Sequence, residues 1–181
     1  ENRGLSVARN VGAEMATGEI VAYTDDDCEV DVHWLLYLVR AMQDQQVEGI
    51  GGPNITPHDD GWVAKCVAAS PGNPSHVLLD DQHAEHVPGC NMAFRRSVLL
   101  GLGGFDPQFR AAGDDVDICW RLIDAGLSIG YAPGAMVWHR RRATVKAYAK
   151  QQKGYGRSEA MVHYKHPQRF GTFGSSRWDG I

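Results

Sequence analysis

Apolar residues recur along this chain with two alternating periods, and the alternation itself predicts the architecture. Leu5, Ala8, Val11 and Met15 repeat at helical spacing, which predicts a helix over residues 5–16 with Gly18 at its C-terminal cap. The run Ile20-Val21-Ala22-Tyr23 predicts a strand ending abruptly at Asp25-Asp26-Asp27, and Trp34, Leu35, Leu38, Val39 and Met42 then mark a second helix. The acidic triplet is therefore expected in a strand-to-helix loop. Gly49-Ile50-Gly51-Gly52-Pro53 reads as another short strand cut off by turn residues. Residues 54–87 are rich in Pro, Gly, Asp and His and, apart from an apolar patch at 62–69, carry weak periodicity, so a loop or lid is expected there. Beyond it the pattern predicts a strand at 91–94, a short helix at 96–102 ended by Gly103-Gly104, and a helix after Asp114-Asp115 that stops at Gly126. Closing strands at 128–132 and 135–138 and an amphipathic helix over 143–164 complete an α/β alternation.

Composition narrows this picture. With 181 residues, 43% hydrophobic and 22% charged, the chain can bury one core. A net charge of −4 gives no global reason to expect a nucleic-acid partner. The basic residues nevertheless gather late, from Arg140, Arg141 and Arg142 to Lys165 and Arg169, against the single acid Glu159. Such a tail suits ligand phosphates, an anionic lipid surface, or plain solvent. The four cysteines are widely spaced with no CxxC pair, so reduced thiols and a cytoplasmic location are the expectation. No apolar run approaches the ~18 residues of a membrane span. The first residues, Glu1-Asn2-Arg3-Gly4, stand in mid-pattern without Met, as in a piece of a longer protein.

Candidate chemistry centres on carboxylates. Three adjacent ones at a strand end repel each other unless a cation or several donors compensate them. Mg²⁺ or Mn²⁺ would serve, since both favour oxygen ligands from one or two carboxylates plus substrate phosphates; capping of the next helix is the plainer reading. Asp114 and Asp115 at a helix start carry the same duality: helix-dipole partners, or a general base toward a hydroxyl. His139, beside Arg140, Arg141 and Arg142, suits a structural, phosphate or metal role. Gly89-Cys90-Asn91 is turn chemistry first. His58, Asp59, Asp60, His76, Asp80, Asp81, His83 and His86 lack compact ligand spacing and read as a solvated loop.

The order of these pieces resembles the family 2 glycosyltransferases. The matching residues are Asn2, Gly4, Ser6, Ala8-Arg9-Asn10 and Gly12, then Thr17-Gly18-Glu19, Asp25-Asp26-Asp27 and Trp34-Leu35. They continue with Gly89-Cys90-Asn91-Met92-Ala93-Phe94-Arg95, Gly103-Gly104-Phe105-Asp106, the stretch from Gly113 to Arg121, Gly126 and Val137-Trp138-His139. The resemblance implies a GT-A-like, Rossmann-like mixed sheet flanked by helices, with the first βαβ part missing and a sheet edge left exposed. It implies a catalytic portion over 1–142 and a helical, basic C-terminal extension over 143–181. Asp25 and Asp27 match the family's Asp-x-Asp motif, Asp115 its general base, and His139 a late histidine near metal and diphosphate. Asp114 stands where the family usually has Glu. Gln151-Gln152-Lys153-Gly154-Tyr155 only partly matches the Gln-x-x-Arg-Trp signature of processive synthases, which favours transfer of one sugar at a time.

The expected activity is inverting, metal-dependent transfer of a sugar from a nucleoside-diphosphate donor. The acceptor would be a saccharide, lipid-linked or other hydroxyl. Asp115 is the expected base, Asp27 and His139 the expected ligands of Mg²⁺ or Mn²⁺, and Arg9, Asp25, Asp26, Gly89, Asn91, Asp114 and Arg140 the expected donor-binding residues. The basic tail allows a peripheral membrane contact, and no nucleic-acid partner is expected. The same acidic loop would also serve a nucleotidyl or phosphoryl transferase, and a sugar- or membrane-binding piece without catalysis is the third reading.

Overall fold

A computed structural model describes residues 1–70 and 75–180. Helix α1 (Leu5–Met15) leads into β1 (Ile20–Tyr23), and the acidic loop connects β1 to a short β2 (Cys28–Val30). Then come α2 (Trp34–Asp44), β3 (Gly49–Gly51), β4 (Asn54–Ile55) and α3 (Trp62–Ala68). After them lie β5 (Val77–Leu78), β6 (His83–His86), β7 (Met92–Arg95), α4 (Arg96–Gly101) and α5 (Asp114–Asp124). The chain closes with β8 (Ile129–Tyr131), β9 (Val137–His139), α6 (Val145–Lys165) and a 3-10 turn, Pro167–Arg169. A mixed six-stranded sheet in the order β1-β7-β3-β8-β6-β5 and a small sheet β2-β9-β4 organise these elements. Among the described residues, only β3 with β8 and β4 with β9 pair in parallel.

Alternation along the strands builds a core on each face of the large sheet. On β7, Met92 and Phe94 join Ala13, Leu99, Phe105, Ile118 and Leu122 from α1, α4, α5 and their connections, while Ala93 joins Trp34, Leu38, Met42 and Ile50 on the α2 side. A third cluster, Phe109, Trp120 and Val162, fastens α6 to α5. Asp117, fully buried, reinforces it by accepting from Arg121 Nε at 2.9 Å and pairing with Lys165 Nζ and His166 Nε2, both at 2.8 Å. Part of the basic tail is thus consumed inside the fold. No helix among the described residues is long and apolar enough to cross a membrane.

Several expectations are corrected. Helix α1 forms, but it buries Ser6, Arg9 and Ala13 and leaves Val11 45% and Met15 78% exposed. It ends at Ala16 in extended conformation rather than at Gly18. The acidic loop runs strand to strand, because β2 intervenes before α2. Residues 54–87 are not a lid: β4, α3, β5 and β6 lie within them, and Ala84, Glu85, His86 and Val87 are buried. Residues 71–74 of that segment lie outside the described residues.

Asn91 is a structural joint. Fully buried, its Oδ1 accepts from Trp34 Nε1 at 2.8 Å, and its Nδ2 donates to the carbonyls of Pro53 at 2.9 Å and Ala135 at 2.8 Å. Replacing Asn91 by leucine strands the buried Trp34 indole N–H and Ala135 carbonyl, while the Pro53 carbonyl keeps the Val137 amide at 3.1 Å. Urea denaturation is therefore expected to show a loss of about 3 kcal/mol, at 1–3 kcal/mol for each orphaned partner less the apolar gain. A loss within ordinary surface-mutation range would remove this assignment.

Candidate active site

Four segments meet at the open end of the sheet: the Asp25-Asp26-Asp27 loop, the Gly89 turn before β7, the start of α5, and His139 at the end of β9. Together with α6 they line an open cleft of about 1370 Å³. The start of α5 is fixed by Gly113, whose φ of +84° is left-handed and whose missing side chain admits Val162. Asp114, Asp115 and Asp117 occupy the first turn, where free amides and the helix dipole favour negative charge. Asp115 Oδ2 accepts from the Gly89 amide at 3.0 Å, and Oδ1 from the Val116 amide at 2.9 Å. Facing it, His86 Nδ1 donates to the Ser75 carbonyl at 2.7 Å, which directs Nε2 toward Asp115 Oδ2 at 3.7 Å. Burial works to raise the Asp115 carboxyl, but His86, Arg9 and the Gly89 amide outweigh it and hold the group below the usual carboxylate range. With 19% of its side chain exposed, Asp115 presents an ionised, cleft-facing carboxylate.

Arg9 of α1 reaches beneath this carboxylate. Its guanidinium pairs with Asp114, donates to the Gly89 carbonyl at 3.0 Å and lies 3.4 Å from Asp25 Oδ1. Gly89 leaves room for this approach: a Cβ there would stand 2.7 Å from Arg9 Nη2 and displace the guanidinium. One cation therefore serves several carboxylates. Burial, together with the Asp115 charge, pushes the Asp114 carboxyl up to about 6 although Arg9 opposes the shift, and burial likewise raises Asp25. Asp114 thus keeps a proton in the folded state up to a higher pH than in the unfolded chain. Its contribution to stability is complete below the ordinary value of 3.8 and is lost as pH rises through about 6. Urea unfolding of Asp114→Asn is expected to show a shallower fall in stability between about pH 4 and about pH 7 than the unaltered protein. Parallel profiles would contradict the raised value.

On the other side of the cleft, Asp25, Asp27 and His139 converge, with their ligating atoms all within 4.8 Å of one another. The β2–β9 pairing and the Arg140 amide, which donates to the Asp27 carbonyl at 3.1 Å, hold the loop against the strand end. His139 Nε2 is 3.2 Å from Asp27 Oδ1, and Arg141 Nη1 donates to His139 Nδ1 at 3.1 Å. With Nδ1 accepting, the neutral ring carries its proton on Nε2, so ligation through Nε2 would require that proton to move. Burial and the Arg141 charge lower the His139 pKa, against the opposing pull of Asp27 and Asp25. Arg142 Nη1 stands 3.5 Å from Asp27 Oδ2. Two carboxylates and one imidazole form a hard, oxygen-rich donor set that fits Mg²⁺ or Mn²⁺ with positions left for phosphate oxygens.

A family model described as "Glycosyltransferase like family 2" matches residues 1–154. The chain belongs to that family. A pre-mycofactocin glycosyltransferase of Mycobacterium tuberculosis is 30% identical over 174 residues, covering 93% of this chain and 37% of that protein. A glucosyl-dolichyl phosphate glucuronosyltransferase of Haloferax volcanii is 30% identical over 155 residues, covering 77% of this chain and 49% of the relative. Among solved structures, a mannosyltransferase from Pyrobaculum calidifontis in complex with GDP-Man and Mn²⁺ superposes with a TM-score of 0.67 at 21% identity, covering 95% of this chain and 46% of the other. The chain thus spans less than half the length of each of these proteins. The mixed sheet flanked by helices is the GT-A-like α/β fold expected from the sequence.

In this member of the family, Arg9, Asp25, Asp26, Asp27, Gly89, Asp114, Asp115 and His139 all line the one cleft. Two expected donor-binding residues do not. Asn91 is sealed in the core with its amide committed to protein partners, and Arg140 is turned to Glu29, Asp59 and Asp60 on the surface. Arg142 is the arginine of that triplet that faces the cleft. His86, read as part of a solvated loop, stands against Asp115; the clue available in the sequence was its place next to Val87 in a short run that ends at a glycine turn.

Proposed function

We infer that this cleft transfers one sugar at a time from a nucleoside-diphosphate donor to an acceptor hydroxyl, with inversion at the anomeric carbon. The observation that carries the reading is the presence, in one cleft, of a convergent Asp25–Asp27–His139 set and a separately held, ionised Asp115. Asp27 and His139 would hold a divalent cation, with Asp25 beside them; when bound it supplies charge neutralisation for the departing diphosphate. Arg142 adds positive charge at the same edge, in the position suited to phosphate oxygens. Asp115 accepts the proton of the acceptor hydroxyl as its oxygen bonds to the anomeric carbon. The bond to the diphosphate breaks on the opposite face, and its electron pair leaves with the nucleoside diphosphate.

Transfer of a single sugar is supported by α6, where Gln151, Gln152 and Tyr155 line the cleft without the Arg-Trp pair of the processive signature. A saccharide or lipid-linked hydroxyl is the acceptor class, in keeping with the dolichyl phosphate named for the Haloferax relative. Calorimetric titration of the protein with UDP and GDP, with and without Mn²⁺, tests the donor site. Binding that appears with Mn²⁺ and disappears with chelator is expected. Equal binding in both conditions would remove the cation, and no binding by folded protein would remove the donor reading. The anomeric proton coupling of the transfer product by NMR decides inversion.

A further inference from the structure

Two thiols and an imidazole, far apart in sequence, meet beside the carboxylate set. Cys28 on β2 is the register partner of His139 on β9, so their side chains share one face of the small sheet. Cys90, 2% exposed, enters from the turn after Gly89 and lines the cleft. The ligating atoms of Cys28, Cys90 and His139 all lie within 4.8 Å of one another, and both cysteines are free. Neither thiol has a part in sugar transfer as described above. Two sulfurs and one imidazole nitrogen form a soft donor set of the kind that takes Zn²⁺ with one position open, next to a hard set that suits Mg²⁺ or Mn²⁺.

We propose that Cys28, Cys90 and His139 form a second cation site, selective for thiophilic divalent ions such as Zn²⁺, that shares His139 with the carboxylate site. Binding exchanges the two thiol protons for the cation and releases them to solvent, and the neutral imidazole keeps its one proton on whichever ring nitrogen does not ligate. Because one imidazole serves both sets, Zn²⁺ at the thiols withdraws a ligand from the donor site; this antagonism rests on the proposed function, whereas the thiol site itself does not.

Titration of the protein with Co²⁺, as a spectroscopic stand-in for Zn²⁺ and under a phosphine reductant, tests the site directly. A near-ultraviolet thiolate-to-cobalt charge-transfer band is expected, displaced by Zn²⁺, weakened in Cys28→Ser and absent in the Cys28→Ser/Cys90→Ser double variant. Asp27→Asn and Cys66→Ser, the latter on an exposed position of α3, are expected to retain it. Folded protein without the band, or a band that survives in the double variant, would overturn the site. Should burial make the Cys90 change unfold the chain, the partly buried Cys28 position decides, and an undiminished band in Cys28→Ser overturns the proposal. For the antagonism, roughly tenfold more Zn²⁺ is expected to be needed to suppress Mn²⁺-dependent UDP or GDP binding in Cys28→Ser than in the unaltered protein. Equal Zn²⁺ sensitivity would show that His139 is not shared, and absence of Mn²⁺-dependent binding would fail the donor reading while the cobalt band still decides the thiol site.

Discussion

Asp115→Asn is expected to lower the rate of sugar transfer by roughly 10²- to 10⁴-fold, the usual contribution of a positioned general base, while donor binding persists. An asparagine side chain is nearly isosteric with the aspartate, and its amide oxygen can still accept the Gly89 amide that now bonds Asp115 Oδ2 at 3.0 Å, while the Val116 amide loses its bond to Oδ1. Beyond that one bond, charge is what changes. In the unaltered protein His86, Arg9 and the Gly89 amide overcome burial and keep Asp115 ionised across neutral pH, the form that a general base requires. Initial rates of nucleoside diphosphate release, read alongside calorimetric donor binding, separate a lost base from a lost fold. A rate within a few-fold of the original would place the base elsewhere in the cleft.

The second large effect concerns Asp27. Asp27→Asn should weaken Mn²⁺-dependent UDP or GDP binding by roughly 10²-fold or more, beyond the 10- to 100-fold typical of a residue that only orients a ligand. Asp27 is the point where three contacts converge: its carboxylate lies 3.2 Å from His139 Nε2 and 3.5 Å from Arg142 Nη1, and its carbonyl accepts the Arg140 amide at 3.1 Å. The backbone contact survives the substitution, so the loop keeps its place. The anionic ligand is lost, and Arg142 loses the carboxylate that stands beside it. Unchanged affinity with Mn²⁺, or an equal loss with and without it, would detach Asp27 from cation binding.

The α/β alternation was legible in the chain because burial of apolar surface imposes local periods. Trp34, Leu38 and Met42 face one layer of the sheet, and Ile118, Cys119 and Leu122 face another, at the spacing their helices demand. The acidic loop and the Asp114-Asp115 pair were legible as well, since clustered carboxylates are costly without a compensating cation or donors. The periodic reading failed at α1 and β6, where polar side chains are buried. Val11 and Met15 mark the apolar stripe of α1, yet the helix turns Arg9 inward, because Asp114, which lies 105 positions away, supplies the counter-charge. Glu85 and His86 disguise β6 as a loop for the same reason: their partners, Arg169 and Asp115, come from the C-terminal turn and α5.

Sequence alone therefore determined most of the α/β alternation of this protein and the chemical types at its cleft, because apolar transfer and like-charge repulsion act on neighbours in the chain. Only the tertiary structure decided which residues meet. It set Asn91 to join Trp34, Pro53 and Ala135 in the core, and turned Arg142 rather than Arg140 to the cleft. It also assembled Cys28, Cys90 and His139, whose wide spacing gave no sign of a ligand set. A polar or charged group can be buried only where its partner is, and that partner is placed by strand pairing and helix packing rather than by the residues beside it.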